Sequence, residues 1–478
     1  MKEFDLISSL PYFLFGIYLA ILLMQLFSTL EKKESDTILK FAVGKQNYSV
    51  GILLLTILGT MIGPGFSYGA IEEFYRYGIG YTGCFALVSF QFILFAKLFA
   101  GKMQEISANN AKIVTIGGIL GLKYNKYAQF IGGVLSIMFS VGLVATLSYA
   151  GGEVLSDFIG TNREIATFLI IIFIMLYSFS GGIATIVKTD TINLTLIVLF
   201  LLIGLGAGFY VLSTSDVNFL TAFKDFGLDT TINNTPSGGW INIAIAFLLG
   251  EIFIPVYSVR SMMTNSAQKT RAAFRLAAII SLIWFIALTF IAISAHLVPP
   301  TENKLVYLNL IDYVFGSNNS LWGAIIKSIA IIGMLGVVVS TLDSILNAAG
   351  VSFKKDIIEL RRSSSYQNEK LDNTHRYAIL VITIIGFIIA IFATGIVDTL
   401  LFAYSIWVPA VLCPIAYCLY AKKINNKWTG LWGMCAGFAG WTFFYILQTG
   451  IPILFGIVIS AVAMTISESI KSSKVTKV

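Results

Sequence analysis

Charge is scarce in this chain. Of its 478 residues, 12% are Asp, Glu, Lys or Arg, whereas 57% are hydrophobic, and the mean hydropathy is +0.84. No long polar stretch separates the apolar runs, which excludes a soluble domain of ordinary size. Histidine is nearly missing: His296 ends an apolar run and His375 lies in a loop. The four cysteines, Cys84, Cys413, Cys418 and Cys435, sit in apolar segments without metal-ligand spacing and read as reduced, small core residues. No metal cluster or Ser/His arrangement for an intramembrane enzyme can be assembled at membrane depth, so an enzyme is not expected. The first apolar run, Leu6 to Leu30, is too long for a signal-peptide core. No small-residue cleavage site follows it, which predicts a retained helix.

What is present is a series of about thirteen apolar spans, the pattern of an all-α, multi-pass membrane protein. The net charge of +7 raises the question of nucleic acid until the charges are placed. With the N-terminus outside, alternate loops collect the basic residues. Only Lys2, Arg76, Arg163, Lys224 and Lys304 fall on the other side, while Lys97 and Lys327 sit near span ends and can snorkel. This predicts an N-out, C-in orientation, with the positive charge at the inner leaflet and no nucleic-acid partner. Arg260 falls among the inner-loop residues on this reading, beside Lys269, Arg271 and Arg275.

Against the apolar background, polar side chains at membrane depth stand out. The stretch from Gly336 to Gly350, GVVVSTLDSILNAAG, carries Ser340, Asp343, Ser344 and Asn347 on one helical face. A carboxylate in hydrocarbon costs at least about 2.5–3.5 kcal/mol, so this face must look into protein or water. Its oxygens suit a hard cation such as sodium; the alternative is a polar stripe joining two helices. A second acid, Asp190 in SGGIATIVKTD, falls at a similar depth, and Glu251 is a third. No basic residue matches that depth in sequence. Two buried carboxylates with one monovalent cation therefore leave about one charge for a second sodium, a proton or a cationic solute group. Glu72 and Glu73, with Arg76, read as a solvated outer face.

Two spans carry helix breakers at mid-depth: Gly59, Gly63, Pro64 and Gly65 in LGTMIGPGFSYGA, and Gly250 and Pro255 in LLGEIFIPVYSVR. Each alone reads as a kink. They are the first and sixth of ten successive spans, the signature of an inverted repeat with a site at the midplane. Unwound backbone there offers carbonyls and amides as ligands.

Four stretches in order then resemble the sodium:solute symporter family: DTILKFAVGKQNYSVG, SGGIATIVKTD, IPVYSVRSMM and VVVSTLDSILNAA with the aspartate of FKKDI. The resemblance covers roughly residues 35 to 420. It implies a LeuT-type core of two five-helix repeats at 48–211 and 239–420. Around them would lie an extra helix and loop at 1–47, an external segment at 212–238, and two further helices with a tail at 421–478. It also implies one sodium held by the carbonyls of Leu58, Met61 and Val337 with the hydroxyls of Ser340 and Thr341. A second sodium, present in some members, would use Asp190, Ser340, Asp343 and Ser344. The solute would lie by Thr60, Gly63, Pro64, Gly65 and Phe66 on one side and Glu251, Phe253 and Tyr257 on the other. The expected function is sodium-coupled import of a small organic solute (an amino acid, a quaternary amine or a carboxylate) by alternating access. The setting is the bilayer of the inner cell membrane, and the functional unit a monomer. A proton-coupled transporter using Asp190 and Asp343, or a membrane sensor of the same fold, remain the alternatives.

Overall fold

The computed structural model describes residues 6–31, 37–44, 46–110, 113–178, 182–228, 239–302, 304–316, 320–361 and 373–470. Ser180 and Gly181 of the Gly-Gly stretch lie outside the described residues, as do part of the 212–238 segment and most of the polar connection before Arg376. Several of the basic residues used to orient the chain also lie outside them.

The described chain is helical throughout: α1 (Leu6–Glu31), α2 (Ile38–Val43), α3 (Val50–Met61), α4 (Tyr68–Tyr77), α5 (Ile79–Phe95), α6 (Gly101–Asn109), α7 (Ile116–Lys123), α8 (Lys126–Ile159), α9 (Arg163–Ser178) and α10 (Ile183–Thr214). It continues with α11 (Gly239–Leu249), α12 (Pro255–Ser261), α13 (Ala267–Ala295), α14 (Val306–Phe315), α15 (Leu321–Ser352), α16 (Thr374–Ile391), α17 (Ile396–Tyr420), α18 (Thr429–Ile446) and α19 (Pro452–Ser469). Eight of the helices are long and apolar enough to cross a membrane. In hydrocarbon the helix is the open-chain form that satisfies every backbone donor and acceptor internally. Side chains take care of the ends: Ser49 Oγ accepts the Ile52 amide at 3.3 Å, Asn125 Oδ1 the Ala128 amide at 2.9 Å and Ser320 Oγ the Gly323 amide at 3.0 Å. Hydroxyls inside the spans bond back to their own helix, as Thr60 does to the Thr56 carbonyl at 3.0 Å.

Helix α15 is the axis of the assembly. In its apolar window 78% of residues are buried, against 33% for α10 and α19, so α15 is enclosed while those two face outward. It packs on α10 along its length, on α8, and on α1. A small cluster of Tyr18, Leu22, Ile332 and Val339 holds α1 against it. The Tyr18 hydroxyl also donates to Asn193 Oδ1 of α10 at 3.0 Å.

Both expected breaks are present. α3 stops at Met61, and after a single 3-10 turn at Pro64–Phe66 the chain resumes as α4. α11 stops at Leu249 and α12 starts at Pro255. Proline opens the 3-10 turn in the first break and α12 in the second, where its missing N–H costs nothing.

At the far end α18 and α19 lie against each other and against α17, which small residues permit. A Cβ on Gly437 would run into the Pro409 carbonyl, whereas one on Gly206 would meet nothing within 4 Å. Gly437→Leu is expected to cost about 1–3 kcal/mol through overpacking. A thermal-unfolding midpoint clearly below wild type should result, with Gly206→Ala unchanged or slightly higher; equal midpoints for both variants would contradict this packing.

Candidate ion and solute site

The end of α3 lies between α10 and α15, and the three come together around Gly59. Ser340 Oγ lies 3.0 Å from the Gly59 oxygen and 2.6 Å from Asp190 Oδ1; Thr341 Oγ1 is 3.4 Å from the same Gly59 oxygen. Asp190 is fully buried, and its Oδ2 accepts no hydrogen bond among the described residues. The approach needs glycine. A Cβ at Gly59 would stand 3.0 Å from Ser340 Oγ and 3.2 Å from the Asp190 carboxyl carbon.

The carbonyl that both hydroxyls reach is Gly59's. The Leu58 oxygen takes the Ile62 amide at 2.8 Å, and the Met61 oxygen takes the Gly63 amide at 2.7 Å. Each retains a second lone pair. Val337 is buried on α15, one turn before Thr341. Asp343 is buried too. Ser344 Oγ accepts from Arg260 Nη2 at 2.7 Å. Asn347, on the same face, turns instead toward the Phe41 carbonyl.

Arg260 corrects two sequence expectations at once: it is neither in a loop nor absent from the depth of the acids. Its side chain is 1% exposed. α12 turns inward after the break and carries Arg260 to Ser344 and, at 3.5 Å, to Thr60 Oγ1. Ser344 follows Asp343 directly and Thr60 follows Gly59, so the guanidinium lies at the edge of the seam. A charge tolerates such burial only with opposite charge and hydrogen bonds beside it. The signal was in the sequence, because Arg260 lies within the IPVYSVRSMM stretch that carries the family likeness.

Beside the ion seam lies a contracted cavity of about 30 Å³. Thr60, Met61 and Gly63 to Phe66 form one wall; Glu251, Thr341 and Tyr404 contribute to the other. Glu251 is buried, its Oε1 accepting from the Tyr404 hydroxyl at 2.6 Å and its Oε2 from the Tyr257 hydroxyl at 3.0 Å. Tyr257 thus acts behind Glu251 and does not line the cavity. Phe253 is not brought to the cavity either; it packs on Phe99, with ring centroids 4.6 Å apart. Freed backbone at both breaks finds side-chain partners that sequence reading missed. Gln91 Oε1 accepts the Glu251 amide at 3.0 Å, and Trp284 Nε1 donates to the Phe66 carbonyl at 2.7 Å. Gln91 had a signal, a lone amide in an apolar run; Trp284 and Tyr404 had none among so many aromatics.

Three smaller expectations change. Glu73 is buried, and Glu72 accepts the Val306 amide at the start of α14, so this pair is not a solvated face. Cys435 is exposed rather than a core residue. Among the described residues no group of three or more His, Cys, Asp and Glu gathers around a common point. The donor set at Gly59 is carbonyl, hydroxyl and carboxylate oxygen, which suits a hard monovalent cation.

A broken-helix membrane protein with an oxygen-lined seam at the break is, by class, a secondary transporter. The chain belongs to the sodium:solute symporter family, whose profile matches residues 44–437. That family consists of transporters, not enzymes. Over 416 residues the chain is 24% identical to the sodium/pantothenate symporter of Haemophilus influenzae, covering 84% of this chain and 83% of that one. It is 22% identical over 433 residues to high-affinity choline transporter 1 of Caenorhabditis elegans, covering 82% and 69%. Its fold matches that of a Na+-coupled sialic acid symporter with a TM-score of 0.77, at 18% identity and 98% coverage of both chains. The fold is of the LeuT type.

Gly59→Ala is expected to push Ser340 and Asp190 apart, at a cost of about 1–3 kcal/mol. The purified variant should lose most of its sodium-dependent thermal stabilisation. Gly83→Ala, where a Cβ meets nothing within 4 Å, should keep it. Retention of the full sodium effect by Gly59→Ala would contradict the placement of the seam.

Proposed function

We propose that this chain imports a small organic solute together with sodium by alternating access across a cell membrane, in bacteria the inner one. The observation that carries the reading is the convergence of the Ser340 and Thr341 hydroxyls on the Gly59 carbonyl, with the Asp190 carboxylate on Ser340. In this reading sodium binds there, between the first broken helix and α15, with the carbonyls of Leu58, Met61 and Val337 available as further ligands. The chain works as a monomer, N-out and C-in, with thirteen spans. Ten of these form two inverted five-helix repeats, each opened by a broken helix.

Sodium in the seam draws α15 toward the end of α3. Because Thr60 and Thr341 border both the seam and the solute cavity, ordering one prepares the other. Ion and solute then favour the same conformation, and each raises the affinity of the other by the same factor. The solute lies along Thr60 to Phe66, facing Glu251. Its carboxylate between two tyrosine hydroxyls favours a solute with an amine or quaternary ammonium group. The choline-transporter relative fits that preference; the pantothenate-symporter relative keeps a carboxylate solute in view.

The test begins with thermal stabilisation of the purified protein by candidate metabolites, with sodium and with potassium in its place. Uptake of the stabilising solute into proteoliposomes follows. Sodium should raise solute affinity, and Ser340→Ala and Thr341→Val should each weaken that dependence. A lost bond to a charged partner is worth about 1.5–3 kcal/mol, roughly tenfold or more. Unchanged sodium dependence in either variant, or uptake driven by a pH gradient without sodium, would count against the reading.

A further inference from the structure

A second cavity, of about 750 Å³, opens between α11, α17 and the turn that joins α18 to α19. Its size falls within the range of roughly 300–1,000 Å³ typical of small-molecule sites. Asn242 and Ala246 on α11 face Asp398, Phe402 and Ser405 on α17 across it. Spacings of four and seven residues put each set on one side of its helix. Leu400 and Tyr404, on the opposite side of α17, line the solute cavity. One helix therefore forms a wall of both.

The polar groups of this wall are mostly acceptors. Asp398 is exposed, and it is the one charged side chain among the described lining residues. The Ser405 hydroxyl donates to the Phe402 carbonyl at 2.7 Å and the Thr449 hydroxyl to the Phe444 carbonyl at 3.0 Å. Both protons are thus committed to the backbone, and oxygen lone pairs remain for the cavity. Asn242 Oδ1 accepts no hydrogen bond among the described residues. Phe402 stands one helical turn from Asp398, and its ring meets that of Tyr445 with centroids 5.9 Å apart. Both rings are half exposed, and aromatic faces attract cations. An acid in the first turn of a helix also suits the helix dipole, but that leaves the facing rings and acceptors unexplained. We propose that this cavity is a second binding site, for a protonated organic amine with an apolar group. The ammonium lies against Asp398 and the two rings, with its N–H groups toward the hydroxyl oxygens. The site is separate from the solute cavity at Glu251, one helix away, and does not depend on the symport reading.

Calorimetric titration of the purified full-length protein with benzylamine, at neutral pH where it is a cation, tests this. Wild type should bind it saturably, whereas benzyl alcohol, of similar shape without the charge, should neither bind nor compete. Asp398→Asn should weaken binding by about tenfold or more, and Phe402→Leu by about two- to fivefold. Both positions are exposed, so the thermal-unfolding midpoints of these variants should stay at the wild-type value. Glu251→Gln, which alters the solute cavity, should keep the binding. Its loss in Glu251→Gln would place the amine in the solute cavity and overturn the inference. So would an unchanged affinity in Asp398→Asn, equal binding of benzyl alcohol, or no saturable binding by wild type. Each of these leaves the symport reading standing, because sodium-dependent uptake tests that separately.

Discussion

The structure depends on how a membrane-buried helix can be broken without leaving its backbone unsatisfied. Each orphaned polar group in hydrocarbon costs several kcal/mol, so a break survives only where neighbouring helices supply partners. Here they do. Ser340 of α15 reaches the Gly59 carbonyl, Ser67 Oγ donates to the Gly63 carbonyl at 2.9 Å, and Trp284 of α13 donates to the Phe66 carbonyl. At the second break Gln91 of α5 receives the Glu251 amide. These bonds tie the broken segments to α5, α13 and α15. Movement of one element against another must therefore exchange polar partners, which makes the breaks natural places for ligands to act.

The same residues link local chemistry to transport. A cavity of about 30 Å³ is far below the roughly 300 Å³ and more of typical small-molecule sites. Loading a solute requires the half-helices around it to separate. The backbone after Met61 and after Leu249 is where such motion is least costly, because the helical hydrogen-bond ladder is already interrupted there. Gly59, where the ion is proposed to bind, lies one residue from the wall of that cavity. On the proposed reading, a conformational change at the break is thus felt by ion and solute together.

Much of this was legible in the chain. Breakers such as Gly63, Pro64 and Pro255 announce themselves in apolar runs, because proline and glycine have few roles in the middle of a membrane helix. Buried acids such as Asp190 and Asp343 are conspicuous for the same reason. The seam between Ser340 and Asp190 followed from depth and family likeness, since both lie on helices facing the first break. What the chain concealed were contacts set by rotation and tilt. Helical periodicity places Ser344 on the polar face with Ser340, yet only the packing of α12 shows that it meets Arg260. Counting basic residues by loop sent Arg260 to the surface, because a seven-residue helix after a break reads like the end of a span. Phe253 illustrates the converse: two residues from Glu251, it points to Phe99, because the turn between α11 and α12 sends the two side chains to different neighbours. That the Ser340 and Thr341 hydroxyls reach the Gly59 carbonyl could not be read from sequence, where backbone atoms carry no label.

The central claim is that sodium orders the first broken helix from its seam with α15. Amide hydrogen exchange of the segment from Met61 to Tyr68, in the purified full-length protein with sodium or with potassium, measures that ordering directly. The account predicts slower exchange of this segment in sodium and little change in α18 and α19, which lie away from the seam. Equal exchange in the two salts, in a protein that still binds sodium, would place the ion elsewhere and contradict it.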